Sequence, residues 1–234
     1  MPVALITGAS RGLGCAVANA LAERGWSLVV DGRDRATLDT AAAGLRQSGA
    51  SSITAVVGDV ADPAHRAELA AAVTEAGRLD LLVNNASVLG PSPQPSLAAY
   101  PLDQLLRVYE VNTFAPLALI QSLLPVLTRS GGCIIDISSD AAVEPYGGWG
   151  GYGSSKAALD QLTAILAAEH PELRIYAFDP GDMRTDLHQA AFPGEDISDR
   201  PWPETVVPAL LRLATSSLPS ARYRAADVGT RVSA

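Results

Sequence analysis

The stretch VALITGASRGLG, residues 3–14, joins a short apolar run to a turn that contains three glycines. An Ala- and Leu-rich segment follows it as far as Arg24. This order predicts a strand, a tight turn and a helix. In such a unit Gly8 permits the turn, Gly12 lets backbone approach a pyrophosphate, and Gly14 lets the helix pack closely on the strand. Free N–H groups at the start of the helix favour phosphate, so the stretch predicts a dinucleotide site. The alternative is an ordinary turn between a strand and a helix.

The rest of the chain repeats this alternation of strand and helix. Five further apolar runs are separated by helix-length segments, at residues 27–30, 53–57, 79–83, 133–137 and 174–178. This spacing predicts a single α/β domain over residues 1–234, with a doubly wound, Rossmann-type parallel sheet of six to seven strands and helices on both faces. A seventh strand is expected near residues 222–226. A long helix is expected to begin at residues 101–103 and to carry Asn112.

Composition limits the classes of partner. The 234 residues are 48% hydrophobic, with a net charge of −8. This acidic balance argues against nucleic acid and against an anionic membrane, so we expect small molecules and copies of the chain itself as partners. Cys15 and Cys133 are the two cysteines, and no metal-binding spacing occurs, which predicts neither a disulfide framework nor a metal site. Residues 1–6 lack the basic start and long apolar run of a signal peptide, and we therefore expect a cytoplasmic protein.

Tyr152 and Lys156 lie four residues apart, just before an Ala- and Leu-rich run. On a helix this spacing places both side chains on one face. A neighbouring ammonium favours the phenolate, so we expect Lys156 to lower the pKa of Tyr152 towards neutrality. The same pattern also arises by chance on helix surfaces, and its context decides between the two interpretations.

Further motifs occur in a fixed order along the chain. Asp59-Val60 follows the third apolar run, Asn85-Ala86 ends the fourth with Ser87 after it, and Ser139 lies thirteen residues before Tyr152. Pro180-Gly181, Met183 and Thr185 follow the sixth run. Together with the glycine turn, these motifs resemble the short-chain dehydrogenase/reductase family, in its single-domain branch. The resemblance implies the strand order 3-2-1-4-5-6-7.

This resemblance implies a site and an activity. Asn112, Ser139, Tyr152 and Lys156 would be catalytic: Ser139 orients a substrate carbonyl, Tyr152 transfers the proton, Lys156 assists it, and Asn112 holds a water. Alternatively, Asn112 satisfies backbone groups at a helix break. The cofactor-binding residues would be Gly8, Ser10, Arg11, Gly12, Leu13, Gly14, Arg33, Asp59, Val60, Asn85, Ala86, Tyr152, Lys156, Pro180, Gly181, Met183 and Thr185. The expected function is an NADP-dependent carbonyl reductase; the alternatives are a 3-oxoacyl-thioester reductase and a non-catalytic NADP(H)-binding regulator.

Two interpretations compete for the choice of cofactor. Asp31, at the end of the second run, lies near the position where an acid grips the ribose 2′-hydroxyl of NAD. In the register of the family, however, that position is Gly32, and the next residue is Arg33. Arg33 and Arg11 could together bind a 2′-phosphate. We therefore expect NADP, with NAD possible.

Residues 184–205 correspond to the substrate lid of the family. His188 and Trp202 lie within it. We expect His188 to be exposed and Trp202 to pack against the fold; the alternative is that both line a substrate pocket. In the family, the helix that follows Lys156 and the helix that carries Asn112 pair across a two-fold axis. A homodimer or homotetramer is therefore expected.

Overall fold

Seven parallel strands form one sheet in the order β3-β2-β1-β4-β5-β6-β7. The computed structural model describes residues 1–228. The strands are β1 Val3–Ile6, β2 Ser27–Gly32, β3 Ser52–Val57, β4 Leu81–Asn84, β5 Cys133–Ile137, β6 Arg174–Asp179 and β7 Arg222–Arg224. The fold class and the strand order are confirmed. The fourth strand begins two residues later than the apolar run predicts, and the seventh is three residues long.

Helices cover both faces of the sheet. Within residues 1–228 they are α1 Gly12–Ala22, α2 Arg35–Gln47, α3 Pro63–Ala76, α4 Leu102–Tyr109, α5 Ala115–Ser130, α6 Gly150–Glu169, α7 Asp186–Ala191 and α8 Val207–Thr215. Alternate residues of β1 point to opposite faces. Ala4 and Ile6 pack in one core cluster with α1, α2 and α8, whereas Val3 and Leu5 pack in a second cluster with α3 and α5.

The predicted long helix is interrupted at Asn112. A π-helical turn, Glu110–Phe114, joins α4 to α5. Pro116 follows the turn and cannot donate the N–H that an α-helix would direct to the carbonyl of Asn112, which explains the local change of pitch. The whole run Leu102–Ser130 is long and apolar enough to cross a bilayer, but 56% of its most apolar window is buried inside the fold. A helix packed on a sheet has this composition.

Several large apolar side chains on the helices remain exposed. Leu102 and Leu106 in α4, Phe114 in the π-helical turn and Ile165 in α6 are among them. They lie on the two helices from which association was expected. The homo-oligomer stays a prediction.

The core predicts a clear contrast between two leucines. Leu82 in β4 is fully buried, whereas Leu106 in α4 is 56% exposed. Leu82→Ala removes buried methyl groups and leaves a cavity, so we expect it to lower the free energy of unfolding by about 2–5 kcal/mol. Leu106→Ala should change it by less than about 0.5 kcal/mol. Urea unfolding of both variants measures the difference, and equal losses would contradict the packing described here.

Candidate active site

The carboxyl ends of the parallel strands meet at one edge of the sheet, where a cavity of about 840 Å³ opens. Nearly all the residues predicted for the site line this cavity: Gly8, Ser10, Arg11, Gly12, Leu13, Arg33, Asp59, Val60, Asn85, Ala86, Ser139, Tyr152, Lys156, Pro180, Gly181, Met183 and Thr185. Two predicted residues, Gly14 and Asn112, do not line it. Both lie beneath its wall.

The glycine turn at one end of the cavity is held by close backbone contacts. Gly8 and Gly12 adopt φ angles of 65° and 57°, which L side chains rarely tolerate. A Cβ atom on Gly14 would lie 2.5 Å from the carbonyl oxygen of Gly8. The hydroxyl of Thr7 accepts hydrogen bonds from the backbone N–H groups of Asn85 and Ala86, both at 3.0 Å. The end of β4 is thereby tied to the turn.

Asp31 supports the same turn from below. One carboxylate oxygen accepts a hydrogen bond from the backbone N–H of Gly8 at 2.6 Å, and the other lies 2.9 Å from Nε2 of His65. Asp31 and His65 are both buried, and His65, in the first turn of α3, joins α3 to the glycine turn. Asp31 is committed to these two partners, which weighs against its selecting NAD.

The turn and its helix fit a dinucleotide. The first turn of α1 contains no acidic residue, and no side chain caps its start, so its N–H groups remain open to an anion. Arg33 is exposed beside the cavity, and no ion pair is recorded for it within residues 1–228. Arg11 pairs with Asp186 of α7 at 2.7 Å, while Asp59 pairs with Arg107. The groups at this end that could bind an anion are therefore the backbone N–H groups and Arg33.

Tyr152 and Lys156 lie on one face of α6, as predicted, and both are buried. The Nζ atom of Lys156 donates a hydrogen bond to the carbonyl of Ile137 at 2.7 Å and lies 5.6 Å from the centre of the Tyr152 ring. Burial lowers the pKa of Lys156 to about 8, against the charges of Asp160 and Asp136, which raise it.

The expected lowering of the Tyr152 pKa is wrong. Burial of the phenol raises its pKa well above 10, because a phenolate loses solvation in this wall. Hydrogen bonding by the side chains of Ser87 and Ser139 lowers the pKa but does not offset burial. Tyr152 is therefore a protonated group at neutral pH, suited to giving a proton rather than taking one.

Ser139 begins a one-turn helix beyond β5. Its hydroxyl accepts from the backbone N–H of Ala141 at 3.2 Å and donates to the carboxylate of Asp140 at 3.0 Å. From the other side, Arg222 of β7 donates to the Ser139 carbonyl at 2.9 Å. These contacts fix the serine at the cavity edge beside Tyr152.

Asn112 has no free hydrogen-bonding capacity in its side chain. Its amide oxygen accepts from the Ser87 hydroxyl at 3.1 Å and from the Val88 N–H at 2.9 Å. Its amide nitrogen donates to the Val88 carbonyl at 2.9 Å and to the Ser155 hydroxyl at 3.0 Å. An amide can make four such bonds, so the side chain acts as a tie between the loop after β4 and α6. This geometry favours the alternative given above for Asn112 over a water held by its side chain.

Buried charges lie directly behind the Tyr152 wall. Asp136 in β5 accepts hydrogen bonds from Asn84 and Thr163, both at 2.7 Å, and burial raises its pKa to about 6. Asp160 pairs with Arg222 at 2.9 Å, and Arg222 also bonds Asp179 at 2.9 Å. Lys156 thus has carboxylates around it that offset part of the cost of its burial.

Segment 184–205, the predicted lid, contributes apolar groups to the other end of the cavity. Leu187 and Ala190 of α7 pack with Tyr152 and Leu89, and Trp149 contacts Phe192. His188 is 7% exposed, so the expectation that it lies in solvent is wrong. Trp202 is 58% exposed and stacks on Arg184 at 4.6 Å, so it does not pack against the core as expected.

Sequence reasoning missed one residue that shapes the site, Asp140, and it named Asp31, Ser87 and His188 without their observed contacts. Ser87 and Asp140 directly follow predicted motif residues, so their place at the cavity could be foreseen, although their partners could not. The burial of His188 depends on Phe192, four residues away on a short helix, and an i, i+4 pairing of aromatic rings is the signal that was available. No local signal joins Asp31 to His65.

The fold, the glycine turn and the Tyr–Lys pair at the carboxyl edge of the sheet define a nucleotide-dependent α/β enzyme of the Rossmann type. Residues 2–196 match the family model for short chain dehydrogenases. The chain belongs to this family and is an NAD(P)-dependent oxidoreductase acting on CH–OH or C=O groups.

Relatives and solved structures agree with this assignment. The chain is 33% identical to a benzil reductase of Saccharomyces cerevisiae that forms (S)-benzoin, over 91% of this chain and 81% of the relative. It is 33% identical to the sepiapterin reductase of Mus musculus, over 81% of this chain and 77% of the relative. An alcohol dehydrogenase from Thermococcus sibiricus in complex with 5-hydroxy-NADP has a TM-score of 0.86 and 28% identity, covering 96% of this chain and 95% of that one.

The buried carboxyl behind Tyr152 predicts a pH dependence of stability. Because the pKa of Asp136 is raised to about 6 from 3.8, the folded chain holds this proton at pH values where the unfolded chain has lost it. The favourable contribution of Asp136 to the free energy of unfolding is complete below about pH 4 and is lost as the pH rises through 6, a difference of about 3 kcal/mol. Asp136→Asn lacks this titration. Urea unfolding between pH 4 and 7 should show the wild type losing stability relative to the variant, and parallel pH curves would contradict the assignment.

Proposed function

We propose that this protein reduces small carbonyl compounds with NADPH. The observation that carries the proposal is the common wall of Ser139, Tyr152 and Lys156, which faces a cavity that begins at the glycine turn. When bound, the nicotinamide dinucleotide supplies or takes up a hydride. The glycine turn, the start of α1 and the segment 180–185 are the residues that would hold it.

The side chains divide the remaining work. Ser139 would donate its one hydroxyl proton to the substrate carbonyl oxygen by turning it away from Asp140, while the Ala141 N–H keeps the serine oxygen at the cavity edge. Tyr152 donates the proton to the oxygen as it becomes an alkoxide. An alkoxide is a far stronger base than a phenolate, so the raised pKa of Tyr152 does not prevent this transfer.

Lys156 supplies the positive charge beside Tyr152. Its pKa of about 8 leaves it mostly protonated at neutral pH, so it can stabilise the Tyr152 phenolate that remains after proton transfer. The relatives named above support carbonyl reduction through their own activities, since benzil and sepiapterin reductases act on carbonyl compounds. A regulator that binds NADP(H) without turnover would have no need of this wall.

The preference for NADP over NAD rests on the end of β2. Asp31 is buried and bonded to Gly8 and His65, so it offers no free carboxylate to a ribose hydroxyl. Arg33 is exposed at the cavity and can take a 2′-phosphate through two N–H groups. Arg11 would contribute a second guanidinium once it leaves Asp186.

Removal of one hydroxyl tests the proton transfer. Tyr152→Phe keeps the ring but has no proton to give, so kcat for ketone reduction should fall at least about 100-fold. NADPH binding, followed by its fluorescence, should persist. Tyr109→Phe is the matched control, because Tyr109 lies outside the cavity lining and contacts Phe114. A Tyr152→Phe protein that keeps a third or more of the rate would overturn the mechanism.

A second comparison tests the cofactor. Arg33→Ala should weaken NADPH binding about 10- to 100-fold, the value of a charge-assisted hydrogen bond, and should leave NADH binding within about twofold. Arg35→Ala serves as the control, since Arg35 is exposed nearby but does not line the cavity. Titration with both dinucleotides measures the effect. A wild type that prefers NADH more than tenfold would refute the NADP assignment.

A further inference from the structure

Asp140 places a negative charge at the reacting end of the cavity. It follows Ser139 directly and lines the cavity. One carboxylate oxygen accepts from the Ser139 hydroxyl at 3.0 Å and from the Ala141 N–H at 2.8 Å. The other accepts from the hydroxyl of Tyr146 at 3.0 Å. When the Ser139 hydroxyl turns to a substrate carbonyl, Ala141 and Tyr146 still hold the carboxylate, so its charge keeps its position beside that carbonyl.

All three donors to Asp140 are neutral groups. The ion pairs recorded for residues 1–228 do not include Asp140. Neutral hydrogen bonds spread a carboxylate charge but do not cancel it. Its effect reaches the neighbouring phenol, because the charge of Asp140 raises the pKa of Tyr152. An anionic group on a substrate held at the same place would experience the same repulsion.

The arginines that line the cavity lie elsewhere. Among the described lining residues these are Arg11 and Arg33, which belong to the end where the dinucleotide is expected. Arg222 approaches Ser139 from behind, but its guanidinium is paired with Asp160 and Asp179. Lys156 lies beneath Tyr152 and donates to Ile137. Among residues 1–228, therefore, no arginine or lysine that lines the substrate end pairs with Asp140.

The rest of the substrate end is apolar and aromatic. Trp149 meets the Tyr152 ring edge-on, with 5.9 Å between ring centres, and packs with Leu89 and Leu187 around it. Tyr146 meets Trp149 at 6.3 Å on the Asp140 side. A flat apolar group suits this wall, while a charged group beside the carbonyl would lie against Asp140.

We propose that Asp140 is a specificity-determining residue, which makes the site accept neutral or cationic aryl ketones and reject ketones that carry a carboxylate beside the carbonyl. This inference rests on the proposed carbonyl reduction and names its substrate class. An α-substituent lies one bond from the carbonyl carbon, so its charge is close to Ser139 and Asp140 in any productive pose.

Three phenyl ketones that differ in the α-substituent test the proposal: benzoylformate, its methyl ester, and phenacyltrimethylammonium. For each enzyme, the kcat/KM of benzoylformate and that of phenacyltrimethylammonium, both with NADPH, are divided by the kcat/KM of the methyl ester. Comparison of each ratio between variant and wild type then cancels the intrinsic reactivity of the ketone. In Asp140→Asn the benzoylformate ratio should rise at least about tenfold and the phenacyltrimethylammonium ratio should fall at least about threefold. A tenfold change corresponds to about 1.4 kcal/mol.

Two further variants secure the interpretation. Asp140→Ser removes the charge but retains an oxygen that can accept from Ala141, and it should give the same pattern if Asp140→Asn folds poorly. Glu144→Gln is the charge-matched control, since Glu144 is exposed and does not line the cavity. Its ratios should remain within about twofold of the wild type.

Binding gives a readout that is independent of turnover. Benzoylformate titrated into the enzyme with NADP⁺, a combination that cannot react, should bind at least about tenfold more tightly to Asp140→Asn than to the wild type. If all three ketones change by one common factor, Asp140 acts only by holding Ser139, and the proposal is overturned. A wild type that binds NADPH but does not reduce the ester would instead refute the proposed function itself.

Discussion

The absence of a side chain at Gly14 is the constraint on which the site depends. A single methyl group there would meet the Gly8 carbonyl oxygen and the Asn85 amide at 2.5 Å. Without it, the first turn of α1 lies directly on the end of β1 and beside the end of β4. The N–H groups of the helix then point into the cavity at the place where the strand ends. A larger residue would have to push α1 outward and would separate the glycine turn from the wall of Tyr152.

The wall that contains Tyr152 and Lys156 is held by charged groups rather than by close backbone contact. Lys156 is buried, and burying an ammonium is costly unless anions lie near it. Asp136 and Asp160 supply them, and Arg222 keeps Asp160 and Asp179 from repelling one another. A network of this kind favours one arrangement of α6 against β5 and β6. The same charged groups therefore hold the wall in place and set the electrostatic environment of Tyr152.

Much of this architecture could be predicted from the sequence because its causes are local. Apolar runs and the glycine turn predict βαβ units, and residues that follow parallel strands must meet at one edge of the sheet. The glycine turn was predicted in this way, whereas most of the other lining residues were predicted from the resemblance to the short-chain dehydrogenase/reductase family. The pairing of Asp31 with His65 joins residues that no periodicity connects. The pKa of Tyr152 depends on burial by the lid and by the loop after β4, which the spacing from Lys156 does not reveal. Asn112 was found, but its four partners follow from tertiary packing.

The saturated amide of Asn112 has a consequence for how the site can be dissected. Its four hydrogen bonds join the segment after β4 to the helix that bears Tyr152, across a turn whose pitch already differs from its neighbours. Any replacement would release both segments together and change the position of the phenol. Lost turnover in such a mutant would report on misalignment, and it would be weak evidence that the amide takes part in bond making.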